Sequence, residues 1–129
     1  MNVAGLKKFC AGLHGATEQL YGAPYNILVF QVGGKTFAYF KTSAPERWRF
    51  SVRVSPDRYL ELTDRSGIKP ARYRGRYHWV TIVGVRSVPS DYLVELVEAS
   101  YRRALGGLSR TRQNAVAARE TPGRTLERR

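Results

Sequence analysis

Cysteine and histidine are scarce in this chain, with one Cys and two His among 129 residues. The single cysteine, Cys10, excludes an internal disulfide. It lies on the apolar side of the first helical pattern (Val3, Leu6, Phe9, Cys10, Leu13), where a buried, inert thiol is expected. Neither His14 nor His78 has a second ligand at metal spacing, such as a histidine four residues on. His14 falls in a loop, and His78 alternates with Tyr77 and Trp79 on a strand, so a structural or solvent role is expected for each. No Ser/His/Asp or Cys/His set has supporting spacing, and neither catalysis nor a cofactor is expected. Long apolar runs are also missing, since none approaches the roughly 20 residues that span a membrane. No continuous apolar core follows the first charges, so no signal peptide is expected and the cytoplasm is the expected compartment.

Acids are the other shortage: 10 Asp and Glu against 22 Lys and Arg, for a net charge of +12. The excess is uneven. The first forty residues carry +2, Lys41 to Val80 carry +6, Thr81 to Leu105 carry none, and the remainder carry +4. A concentrated excess marks a surface built to meet something negative, most often nucleic acid. Arg outnumbers Lys by 17 to 5. The planar guanidinium fork suits phosphate, while genomic base composition yields the same bias, and both readings stand.

At this length the chain fits one domain with its own core. Asn2 to Leu13 reads as a short amphipathic helix ended by Gly12 and Gly15. Tyr25 to Val32 and Lys35 to Thr42 are strand-like runs joined by Gly33-Gly34, a strong signal for a tight hairpin. Trp48 to Val54 alternates, with Trp48, Phe50, Val52 and Val54 on one face and Arg47, Arg49, Ser51 and Arg53 on the other. Ser55-Pro56-Asp57 opens a helix with Tyr59, Leu60 and Leu62 on its apolar side. Tyr77 to Val85 predicts a further strand. Pro89-Ser90-Asp91 starts the best-marked helix, which Gly106-Gly107 ends. From Ser109 the composition turns to Arg, Ala, Thr and Gly, which predicts a flexible basic tail over 109–129 outside a domain of 1–108. A helix over Ser109 to Glu120 that forms on a partner is the alternative. The order of elements predicts an α+β domain, an antiparallel sheet with helices packed on one face.

Two chemical motifs fail on inspection. Gly34-Lys35-Thr36 repeats the end of a phosphate-binding loop, but Val29 stands where the motif needs glycine and a strand follows where it needs a helix. Asp91, Glu95 and Glu98 share a helix face, where acids beside the positive helix end read as solvated rather than metal-binding.

Binding residues fare better. Arg47, Arg49 and Arg53 repeat along one strand face at about 6.6–6.8 Å per two residues, a spacing suited to tracking a phosphate backbone. Arg72-Tyr73-Arg74-Gly75-Arg76-Tyr77 interleaves arginines, which neutralise phosphates, with tyrosines, which pack on sugars or stack on bases. The same run also reads as a solvated hairpin tip whose arginines guard an edge strand.

Several runs together resemble the MmcQ/YjbR family of small bacterial proteins. They are Gly15-Ala16-Thr17-Glu18, Val32-Gly33-Gly34-Lys35-Thr36-Phe37-Ala38-Tyr39, Ser51-Val52-Arg53-Val54, Trp79-Val80 and Ser100-Tyr101-Arg102, spanning roughly Val3 to Leu108. The resemblance implies an α+β fold of the double-wing type and a DNA-binding role, with no catalytic residues to carry over. Lys35 and Arg53 match basic family positions, and Trp79 and Tyr101 match aromatic positions expected in the core. His14 departs from a usual proline, Arg53 replaces a usual lysine, and the Arg-rich tail lies outside the pattern.

The expected function is DNA binding through a basic strand and loop surface, with low sequence specificity because phosphate contacts position a protein but read little sequence. The residues expected to carry it are Lys35, Lys41, Arg47, Arg49, Arg53, Arg72, Tyr73, Arg74, Arg76 and Tyr77. A monomer is expected. A protein-interaction module whose basic tail recruits an acidic partner is the rival reading, and a small-molecule or enzymatic role in a pocket near His78 and Trp79 is a third.

Overall fold

The computed structural model of the chain describes residues 1–72 and 75–118, without the side chain of Arg76. Its core is an antiparallel sheet of six strands in the order β1-β2-β3-β4-β6-β5: β1 (Ala16–Tyr21), β2 (Ile27–Val32), β3 (Lys35–Lys41), β4 (Phe50–Arg53), β5 (Ile68–Pro70) and β6 (Trp79–Ile82). The helices are α1 (Val3–Ala11), α2 (Pro56–Thr63), α3 (Ser90–Gly106) and α4 (Arg110–Ala118). The fold is therefore α+β. Among the described residues, no helix is long and apolar enough to cross a membrane.

Alternation sorts the strands into two faces. Leu28 and Phe30 of β2 lie opposite Phe40 and Ala38 of β3, followed by Phe50 and Val52 of β4 and by Ile82 and Val80 of β6. All are buried, and they form one cluster with Leu6 and Cys10 of α1, Leu62 of α2, Leu93, Leu96 and Val97 of α3 and Val116 of α4. The four helices thus share one side of the sheet. The turn between β2 and β3 has positive φ at both Gly33 (58°) and Gly34 (87°), as a two-residue hairpin loop demands. A bulge then inserts Phe37, because Phe30 pairs Ala38 while Gln31 pairs Thr36. The extra residue packs edge-on against Tyr101 of α3, with ring centroids 5.4 Å apart. Its carbonyl accepts a hydrogen bond from the buried Ser100 hydroxyl (2.6 Å), which in turn accepts one from the Arg53 amide (3.2 Å). One buried polar side chain is thereby satisfied while tying α3 to two strands.

Helix starts follow the sequence closely. The Asn2 side chain accepts from the Gly5 amide (2.8 Å), and the Ser55 hydroxyl from that of Arg58 (3.3 Å). Leu60 departs from expectation. It is 71% exposed, because the helical turn of 100° per residue leaves it off the face that Tyr59 and Leu62 share.

Four further differences bear on function. The strand expected over Trp48 to Val54 is regular only from Phe50; Trp48 has φ 68°, and Arg47 therefore leaves the alternating stripe. Trp48 still packs on the core, edge-on to Phe40 and beneath the Lys7 ammonium 3.7 Å from its ring. The strand expected over Tyr77 to Val85 is confined to β6, preceded by a 3-10 turn (Gly75–Tyr77) and by His78 at φ 68°. β1 and β5 have no counterpart in the sequence reading. Finally, where composition predicts a tail from residue 109, Arg110–Ala118 form α4, docked on the domain. Val116 is buried against Gly15, its carbonyl lies 2.8 Å from His14 Nε2, and Arg112 donates to the Gly33 carbonyl (3.2 Å). These anchors lie in loops distant in sequence, so composition could not reveal them. Residues 119–129 lie outside the described ones.

Candidate functional site

The face of the sheet opposite the helices carries Ile27, Val29, Gln31, Tyr39, Lys41, Ser51, Arg53, Trp79 and Thr81, each set by register from its neighbour. It holds a cleft of about 480 Å³, and among the described residues none of those lining it is on a helix. Ile27, Tyr39, Lys41, Ser51 and Thr81 contribute from four strands, Pro24 and Tyr25 from the loop before β2, and Glu46, Arg49 and Arg72 from segments flanking the sheet. A hollow of about 300 Å³ shares Glu46, Arg49, Arg72 and Thr81 and adds Lys69 and Pro70.

Backbone and side-chain bonds hold these groups. The Lys41 amide donates to the Arg49 carbonyl (2.9 Å), which sets the two basic residues side by side. Lys41 Nζ donates to the Tyr25 carbonyl (2.9 Å), tying the loop before β2 to the cleft. The Tyr25 side chain remains exposed, at 65%. Tyr39 packs against Trp79 with ring centroids 5.5 Å apart. The Ser51 and Thr81 hydroxyls are bonded across the ladder at 2.8 Å. Glu46 lies 3.5 Å from both Arg49 and Arg72, and it is the sole acid among the described residues lining the cleft. Such partly exposed ion pairs contribute about 0–1 kcal/mol each to stability, so their consequence is for charge at the cleft rather than for folding.

Of the ten residues expected from sequence, the structure brings Lys41, Arg49 and Arg72 together in this cleft. Arg53 lies on the same face, where its Nε donates to the Tyr77 carbonyl (3.1 Å). Arg47 is separate: its Nε donates to the Thr42 carbonyl (3.3 Å), and its guanidinium carbon is 6.0 Å from the Trp48 ring. Lys35 is at the other end of β3. A methyl group added at Gly107 would lie 2.7 Å from Lys35 Nζ and 3.6 Å from the Arg103 and Ala104 carbonyls. The exposed ammonium thus sits near the negative end of α3 and does not line the cleft. Tyr73 and Arg74 lie outside the described residues, as does the Arg76 side chain. Tyr25, Tyr39, Glu46 and Lys69 were not anticipated. Tyr39 was within reach of the sequence, because alternation puts it on the face of Lys41; nothing local marks the other three.

The remaining candidates have other employment. His78 packs edge-on against Tyr59 (5.4 Å), and neither His78 nor Trp79 lines the cleft. Burial pushes the Cys10 thiol up to about 12, which suits an inert core residue. Asp91 accepts from the Tyr92 amide and Glu95 pairs with Arg58, and among the described residues no cluster of acids, His or Cys could hold a metal ion. What the cleft offers is cationic donors, aromatic faces and a hydroxyl pair, groups that recognise an anionic ligand carrying a planar moiety.

The whole arrangement has relatives. Over 106 residues the chain is 26% identical to the uncharacterized protein YjbR of Escherichia coli strain K12, covering 81% of this chain and 88% of that one, and the protein of strain O157:H7 matches equally. The crystal structure of Deinococcus radiodurans protein DR2400, a DUF419 domain, superposes with a TM-score of 0.76 at 26% identity, covering 95% of this chain and 92% of that one. A Pseudomonas syringae protein shares the fold at 17% identity, with a TM-score of 0.65 over 81% of this chain and 99% of that one. The YjbR family model matches residues 11–103, a stretch that runs from the end of α1 into α3 and includes every described residue lining the cleft, and the chain therefore belongs to the YjbR family.

Proposed function

We propose that this chain is a non-catalytic, monomeric, cytoplasmic protein that binds DNA through phosphate contacts on the helix-free face of its sheet. The convergence of Lys41, Arg49 and Arg72 on one cleft carries this reading. Lys69 of the adjoining hollow and Arg53 on the same face extend the cationic surface to five side chains among the described residues. Guanidinium and ammonium groups so arranged neutralise a phosphate backbone, while Glu46 limits the excess. Contacts of this kind position DNA and read little of its sequence, so specificity is low.

The test is a DNA titration by fluorescence anisotropy at several salt concentrations. Neutralising about five phosphates gives a log–log slope near −4.5 on a duplex and about −3.5 on a single strand, so affinity falls on the order of a hundredfold or more between about 50 and 200 mM salt. A flat dependence, or no binding at about 50 mM salt, removes the proposal.

A further inference from the structure

We infer that the cleft takes an unpaired nucleotide, so that the protein prefers single-stranded to duplex nucleic acid; this inference rests on the phosphate-binding reading above. Three observations on the cleft favour it. The first is shape. A concavity of about 480 Å³ is the size that encloses a small planar ligand, whereas a duplex presents phosphate ridges and has no base free to enter.

The second is the aromatic lining. Tyr25 stands 65% exposed beside the cleft, and Tyr39, backed by Trp79, contributes a second ring on the same side as Lys41. Stacking on tyrosine requires a base face that duplex neighbours already occupy, so the ring faces of this lining can be stacked on only by an unstacked base. A surface that tracked duplex phosphates alone could use the tyrosine hydroxyl but not the ring face.

The third is the polar pair beneath them. Ser51 is 2% exposed and its hydroxyl is bonded to that of Thr81, so the half-buried Thr81 hydroxyl is the one that can meet a base edge. Lys41, Arg49 and Arg72 line the same cleft, within reach of the phosphates that flank a base held there.

The experiment compares a labelled strand of about 12 nucleotides, its duplex, and the same strand made abasic, all against the full chain at about 50 mM salt. The intact strand should bind roughly tenfold more tightly than the abasic strand or the duplex. Tyr25→Ala should remove roughly tenfold from the intact strand, leave the abasic strand unchanged and leave the salt slope unchanged, while Tyr25→Phe restores binding. Because Tyr25 is exposed, the variant keeps the fold. Duplex binding equal to or tighter than the intact strand overturns the inference, as does a Tyr25→Ala loss shared by intact and abasic strands. Either result leaves phosphate binding standing. Binding to none of the three overturns both.

Discussion

Glu46 lies 3.5 Å from two guanidinium groups and so sets how much positive charge the cleft shows a ligand. Glu46→Gln removes that charge while keeping size and shape. Oligonucleotide affinity at low salt should rise about fivefold, with melting temperature nearly unchanged because the pairs are partly exposed. Weaker binding in the variant would mean that the carboxylate positions the arginines rather than competing for them. At the opposite side of the sheet, burial raises the Cys10 thiol from 9.0 to about 12 and raises the Tyr101 hydroxyl, which donates to the His14 carbonyl (2.6 Å). Above pH 9 the unfolded chain has lost the thiol proton that the native chain keeps, so unfolding is favoured progressively up to about pH 12. Denaturant midpoints should fall over this range, and Cys10→Ala should flatten the part of the fall that begins at pH 9. An unchanged fall in that variant would assign it to Tyr101 and other groups.

At the scale of elements, the β2–β3 hairpin and the C-terminal helices depend on one another. Gly33 closes the turn at positive φ, and a methyl group there would lie 2.5 Å from a Leu108 methyl carbon between α3 and α4. Gly33→Ala therefore combines backbone strain with overpacking of a buried leucine. A loss of about 2–4 kcal/mol is expected in urea unfolding, with faster amide exchange across α4. A loss under about 0.5 kcal/mol would show that the turn relaxes without disturbing Leu108. The sheet edges differ as well. β5 is short and carries Lys69 and Pro70, which discourage further pairing, whereas β1 is longer and five of its six residues are exposed.

At the scale of the molecule, charge is distributed over both sides of the sheet, and position decides which charges matter. Arg72 lines the cleft, while Arg86 lies exposed in the 3-10 turn between β6 and α3 and contributes nothing to it. Arg72→Ala should lower DNA affinity and reduce the magnitude of the salt slope by about one, and Arg86→Ala should leave the slope unchanged. Equal effects would mean that net charge, rather than the sheet face, governs binding. On the proposed function, the net charge of +12 matters less than the three cations, Lys41, Arg49 and Arg72, that line one cleft among the described residues.

Local rules explain what the sequence determined by itself. Gly33-Gly34, Ser55-Pro56 and the alternation of Phe50, Val52 and Val54 specify turn, cap and strand through interactions within a few residues, and the α+β class follows from their order. β1 escaped because a polar edge strand owes its conformation to pairing with β2, and α4 because its single buried apolar residue, Val116, docks on Gly15 a hundred residues away. The cleft is wholly a product of tertiary structure. Arg72, just past β5, reaches Glu46, ahead of β4, although β6 lies between the two strands, and a backbone bond just beyond the β3–β4 ladder puts Lys41 beside Arg49. The sequence alone determined that cations concentrate between Lys41 and Val80; only strand order decided which of them share a face, because register acts between segments that no local pattern connects.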